Sequence, residues 1–104
     1  MKKYLRKPNI NKDLIQAVQL LNTDESIIEC VEFVYGIGTE TSEIGRKATV
    51  NTVRNGDGFI INISNCYLVV LFNDYIIKDS NGQFHVLRPN EFYDKYEEIN
   101  YDKV

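Results

Sequence analysis

The sequence predicts an α+β domain with a small, mainly antiparallel sheet, one amphipathic helix after the first strand and a short C-terminal helix. Two observations carry this prediction. An alternating segment is followed by a segment with helical spacing, and a series of short apolar runs is then separated by turn residues. The chain has 104 residues, which is the size of one domain, so residues 1–104 are expected to share one core.

The first predicted strand and helix lie in the N-terminal third of the chain. Residues 14–20 alternate in polarity, as a strand with one buried face does. Asn22 is the expected helix cap, and apolar residues recur at helical spacing up to Tyr35, where Gly36 supplies the stop. Residues 36–47 are rich in Gly, Thr, Ser and Glu and have no period, which predicts a flexible loop.

The second half of the chain is predicted to form antiparallel strands. They span residues 49–54, 59–64, 67–72, 75–78 and 84–87. The turn residues at 55–58 and at Asn81-Gly82 each indicate a hairpin. The continuous apolar run at residues 67–72 is typical of a central strand. Asn90 is then expected to cap a final helix whose buried side carries Phe92 and Tyr96.

Composition disfavours several classes of function. A net charge of −3 is far from the strongly basic balance of nucleic-acid-binding domains, so no direct contact with nucleic acid is expected. Residues 67–72 form the most apolar run, which is too short for a membrane span or a signal peptide, so a cytoplasmic location is expected. The acidic residues from Asp13 to Glu43 are more typical of a solvated helix face than of a phosphate mimic.

The residues with reactive side chains form no catalytic or metal-ligand pattern. Cys30 and Cys66 are interpreted as reduced, buried packing residues. His85 is the only histidine and has no partners at ligand spacing, so no metal site and no cofactor are predicted. A Cys66–His85 dyad would lack an orienting group and an oxyanion site, so no catalytic residue is assigned.

Binding residues are instead expected on the first helix and near the C-terminus. Phe33 falls on the helix face opposite Ile27, which predicts an exposed interface anchor with Glu29 and Glu32 as its polar rim. The alternative is that a further layer covers Phe33. Tyr93 and Tyr101 are the next candidates, because tyrosine combines a large contact area with a hydroxyl group. Their alternative role is to cover the sheet edge.

Several short motifs stand near the two ends of the chain: Lys7-Pro8, Gln16-Ala17-Val18-Gln19, Asp74-Tyr75-Ile76-Ile77-Lys78, Gly82-Gln83-Phe84, Pro89-Asn90-Glu91-Phe92 and Tyr96-Glu97. Together they resemble a widespread group of small phage and prophage proteins. Members of that group open with a basic, proline-containing start before a strand, and close with a Gly-Asp-Trp-Ile-Ile hairpin and a Pro-Asp-x-Phe helix. The resemblance implies an origin in a mobile element and an α+β architecture, and it supplies no catalytic residues.

Three classes of function follow as expectations. The first is a non-enzymatic phage accessory protein that binds a host bacterial protein stoichiometrically, for example to inhibit a host defence enzyme. The second is a small-ligand sponge for nucleotide signals, which requires basic side chains around aromatic rings. The basic candidates are Arg46, Lys47, Arg54 and Arg88. The third is a small enzyme, which the missing motifs make the weakest expectation.

Overall fold

The computed structural model describes residues 2–6, 14–36 and 42–98, which form three helices and two antiparallel sheets. The strands are β1 (Lys2–Arg6), β2 (Leu14–Gln19), β3 (Gly58–Ile63), β4 (Cys66–Leu71), β5 (Tyr75–Lys78), β6 (Phe84–Leu87) and β7 (Tyr96–Glu98). The helices are α1 (Asp24–Tyr35), α2 (Glu43–Asn55) and α3 (Pro89–Lys95). The predicted α+β class is confirmed.

The larger sheet has five strands in the order β6-β5-β2-β1-β7, and each of its faces contributes residues to a hydrophobic core. Side chains of a strand alternate between faces. One face contributes Val18 and Ile76 to a core shared with α1, α2 and the β3–β4 hairpin. The other face contributes Ile15 and Ile77 to a smaller core, which Phe92 of α3 completes. Helices α1 and α3 therefore lie on opposite sides of this sheet.

The cap of helix α1 lies one residue after the expected one. The hydroxyl of Thr23 accepts a hydrogen bond from the Ser26 N–H at 3.1 Å, so Thr23 is the cap and the prediction of Asn22 is wrong. The Asn22 side chain instead accepts a hydrogen bond from the Arg54 guanidinium at 2.8 Å. At the other end, the Gly36 N–H donates to the Glu32 carbonyl at 2.7 Å, so the predicted end at Tyr35 is confirmed.

Helix α2 replaces part of the predicted loop and the whole of the predicted strand at 49–54. The Ser42 hydroxyl caps it by accepting a hydrogen bond from the Gly45 N–H at 3.0 Å. The β-branched residues of this segment favour a strand locally. However, Val50 and Val53 are three residues apart and both are buried, which places them on one side of a helix. The remaining part of the predicted loop, residues 37–41, lies outside the described residues.

The first hairpin joins β3 to β4 through a turn at Ser64-Asn65 and forms a separate two-stranded sheet. Within the described residues β4 pairs only with β3, so the prediction of a central strand at 67–72 is wrong. Gly58 opens β3 at φ +147°, and a Cβ atom there would lie 1.9 Å from the Val70 carbonyl oxygen. Only glycine allows this close approach of the two strands.

The second hairpin, β5–β6, lies where the sequence predicts it, and α3 follows with a different cap. Arg88 holds the cap position and Pro89 the first turn, so the prediction of Asn90 as the cap is wrong. Arg88 also donates a hydrogen bond to the buried Asp74 carboxylate at 2.5 Å. Phe92 is buried as predicted, and its ring stacks on that of Tyr75 with centroids 3.8 Å apart.

Candidate functional site

A groove of about 940 Å³ opens between α1, the first half of α2 and the faces of β2 and β5. Its apolar part is formed by Ile28, Phe33 and Val50. Gln16 of β2 and Lys78 of β5 are direct cross-strand partners in the sheet, and both line the groove. The groove therefore combines an apolar base with charged walls, as binding sites commonly do.

Acidic side chains outnumber basic ones along this groove. The acidic residues are Asp24, Glu25, Glu29, Glu32 and Glu43, and the basic residues are Arg46, Lys47 and Lys78. Three of the acids are paired: Glu32 with Arg46 at 3.5 Å, Glu43 with Lys47 at 3.6 Å, and Asp24 with Arg54 at 2.7 Å. Within the described residues, Glu25 and Glu29 form no ion pair, so the groove retains negative charge.

The aromatic rings of Phe33 and Phe84 connect the base of the groove to Lys78 of β5. The rings of Phe33 and Phe84 meet edge to face, with centroids 5.9 Å apart. The Lys78 ammonium lies 5.9 Å from the centroid of the Phe84 ring. This cation–π contact holds the ammonium near the Phe84 ring, and Lys78 also lines the groove.

The structure brings Glu29, Glu32 and Phe33 together in this groove, but Phe33 differs from its expected state. Its side chain is only 9 % exposed and belongs to the main core, so the expectation that Phe33 is exposed is wrong. The reason is that the sheet and the β3–β4 hairpin both pack around α1, which widens the buried stripe beyond the Ile27 side. Glu29 is exposed and Glu32 is half-buried.

The two predicted tyrosines do not join this site. Tyr93 is exposed on α3, and its hydroxyl forms a hydrogen bond with that of Tyr75 at 2.9 Å. Since α1 and α3 lie on opposite sides of the five-stranded sheet, Tyr93 belongs to a different surface from Glu29. Tyr101 lies outside the described residues.

The four basic candidates for a nucleotide site are not gathered around one pocket. Arg46 and Lys47 line the groove, where each is paired with a glutamate. Arg54 contacts Asn22 and Asp24, and Arg88 contacts the buried Asp74. The two candidates that line the groove are therefore each paired with a carboxylate, which weakens the positive potential that a phosphate group requires.

The candidate reactive residues are separated. Cys30 is buried, and its desolvation raises the pKa of the thiol to about 12. Cys66 is exposed, so the prediction that it is buried is wrong; it begins β4 directly after the hairpin turn. His85 forms a 2.9 Å contact with Asp79. Within residues 2–6, 14–36 and 42–98, no three His, Cys, Asp or Glu side chains are placed to hold a metal ion.

A second surface was not anticipated from the sequence. The apolar side chains on the outer face of the β3–β4 hairpin are Ile60, Tyr67, Val69 and Leu71, and all four are exposed. We call these four residues the hairpin face. The apolar run at 67–72 signals a strand with two apolar faces, but it does not say which face the rest of the chain covers.

Comparison of the chain with known protein families, curated proteins and solved structures finds no match. In the described part of the chain, none of the helices has the length and apolar character that a membrane crossing requires.

Proposed function

We propose that this chain is a non-enzymatic phage or prophage accessory protein that binds a protein of the bacterial host stoichiometrically through the groove beside α1. The observation that carries the proposal is the groove itself, in which Glu25 and Glu29 lie unpaired among the described residues above an apolar base. A basic, partly apolar segment of the partner complements both properties. Inhibition of a host defence enzyme is one form that such binding takes.

The composition of the groove favours this function over a nucleotide sponge. A nucleotide signal carries phosphate groups, and five carboxylates against three cations oppose a phosphate in this groove. An enzyme is also less well supported, because Cys66 and His85 lie in different sheets and Cys30 is held as a buried thiol.

The proposal is tested by affinity capture from a lysate of the bacterial host, with the purified chain immobilised and bound proteins identified by mass spectrometry. The informative variant is Glu25→Lys/Glu29→Lys. Both residues are exposed and neither forms an ion pair in the described residues, so the fold should be kept while the charge of the groove reverses. We expect the captured protein to be lost, since close charge pairs make large contributions at interfaces.

The matched control is Glu91→Lys/Asp94→Lys, which changes the net charge by the same amount on exposed positions of α3, away from the groove. It should capture the same protein as the wild type. Equal loss with both double variants would show a response to net charge alone and would contradict the groove assignment. Recovery of a phosphorylated small molecule from the purified chain, with no protein captured, would favour the sponge.

A further inference from the structure

The β3–β4 hairpin is apolar on both faces, and the described residues cover only one of them. Its inner face places Ile61 and Val70 in the main core, where both are fully buried. On the hairpin face, Tyr67 is 63 % exposed and Val69 is 48 % exposed. Side chains of this kind on a sheet are usually packed against another layer. The described residues supply no such layer on the outer side.

The hairpin carries no charge over its whole length. From Gly58 to Asn73 the sequence contains no Asp, Glu, Lys or Arg, although the chain has a net charge of −3. No residue of the hairpin lines the acidic groove. Two copies of this acidic chain can therefore approach each other here without bringing like charges into contact, which is not true of the surface around α1.

We propose that the hairpin face binds the same face of a second copy of this chain, which gives a homodimer. Contacts between unlike proteins that form and dissociate are about as polar as ordinary surfaces, whereas homodimer interfaces are more apolar and lack charge. The hairpin face is apolar and uncharged, as homodimer interfaces are. In a symmetric contact both copies use the same patch, so the cross-strand partners Ile60 and Val69 contribute to the contact from each copy.

The size of the face sets the expected strength of the dimer. Four partly exposed side chains present on the order of 300 Å² per copy, well below the ~800 Å² that each partner of a standard interface contributes. We therefore expect a dimer that dissociates on dilution. The hairpin face would form its central contacts, and the neighbouring Tyr35 and Asn62, which are exposed, would contribute to the rim.

The test is sedimentation velocity of the full chain alone, over a dilution series from hundreds of micromolar to below one micromolar. The wild type should shift from about twice the chain mass of 12.1 kDa to the chain mass on dilution. Val69→Asp should remain monomeric throughout. The matched control is Ile44→Asp on α2, because Ile44 is 83 % exposed and lies outside the hairpin face. It should associate as the wild type does.

A milder variant covers the case in which Val69→Asp fails to fold. Ile60→Thr/Val69→Thr keeps the β-branched shape of the strand and should weaken the dimer at least about tenfold. A wild type that is monomeric at every concentration would overturn the proposal, as would unchanged association of the hairpin variants or loss of the dimer with Ile44→Asp. If the chain alone stays monomeric and Val69→Asp instead abolishes capture of a host protein, the face binds an unlike partner.

This dimer goes beyond the proposed function, because it uses different residues and is measured without any host protein. Glu25→Lys/Glu29→Lys should dimerise like the wild type. Failure of the groove proposal and failure of the dimer proposal are therefore separate results.

Discussion

Phe33 connects the core of the protein to its groove. Its ring packs against Phe84, while its own helix carries Glu29 and Glu32 toward the opening. A residue in this position supports the fold and shapes the site at once. Variants of Phe33 are therefore expected to affect stability before they affect recognition.

Replacing Phe33 with Ala should destabilise the protein by about 3–5 kcal/mol, because a buried aromatic ring is removed and a cavity remains. Urea unfolding monitored by circular dichroism gives this value. Ile44→Ala is the control, since Ile44 is highly exposed on α2, and it should change the stability by less than about 0.5 kcal/mol. A loss below about 1 kcal/mol for Phe33→Ala would contradict the assignment of this ring to the core.

Asp79 organises the turn between β5 and β6. Its carboxylate contacts His85 and accepts hydrogen bonds from the N–H groups of Gln83 and Asn81. The His85 contact first, and the two backbone bonds after it, lower the pKa of Asp79 below its usual 3.8. A lowered carboxyl pKa adds stability above the unfolded pKa, and that stability is lost as the pH falls through the folded value.

The pKa of Asp79 is measurable from the pH dependence of its carboxyl carbon shift in NMR. We expect a value below 3.8 in the wild type and a rise toward 3.8 in His85→Ala. His85→Gln keeps an N–H donor and should restore part of the shift. A wild-type value at or above 3.8, or no response to His85→Ala, would show that this contact does not persist in solution.

The β3–β4 hairpin requires a glycine at position 58. Gly58→Ala places a Cβ atom against the backbone of Val70 at a positive φ, and neither strand can move aside without breaking the ladder. We expect a loss of at least about 2 kcal/mol. Gly82→Ala is the control, because Gly82 also has a positive φ of +81° but has no atom within 4 Å of the added carbon.

Both glycine variants are compared by urea unfolding. Gly82→Ala should cost about 1 kcal/mol, which is the backbone strain alone. The difference between the two losses in unfolding free energy measures the cost of the steric clash at Gly58. Equal losses would show that the strands do not approach each other as closely as Gly58 and Val70 indicate.

Local signals predicted some elements of this fold and misassigned others. Helix α1 and the β5–β6 hairpin carry a clear period, a glycine stop or an Asn-Gly turn, so their positions follow from nearby residues. In α2 the β-branched residues favour a strand, whereas the packing of Val50 and Val53 on one side favours a helix. The sequence of such a segment does not by itself show which tertiary contacts the segment will form.

The sequence predicted three residues of the candidate site, Glu29, Glu32 and Phe33, but not the groove that they line. The spacing of Glu29, Glu32 and Phe33 places them close together on one helix whatever that helix packs against. The groove also needs Gln16, Lys78 and the first turns of α2, which come from distant parts of the sequence. The burial of Phe33 depends on the same distant elements, so the sequence pattern alone suggested an exposed ring.

The two proposals use two different surfaces of the molecule. The groove beside α1 is acidic, and the hairpin face is apolar and uncharged. If both proposals hold, the dimer presents two grooves and binds two partner molecules. A binder of this kind has no turnover, so its effect is limited by the number of grooves.

Titration of the captured host protein with the purified chain tests whether the chain binds its target stoichiometrically through the groove. Binding or inhibition of the target, followed by calorimetry or by the target's own activity, should saturate at one chain per target molecule. Glu25→Lys/Glu29→Lys should show no saturation in the same range. Full effect at a small fraction of one chain per target would indicate catalytic turnover and would contradict the account, as would an unchanged titration with that double variant.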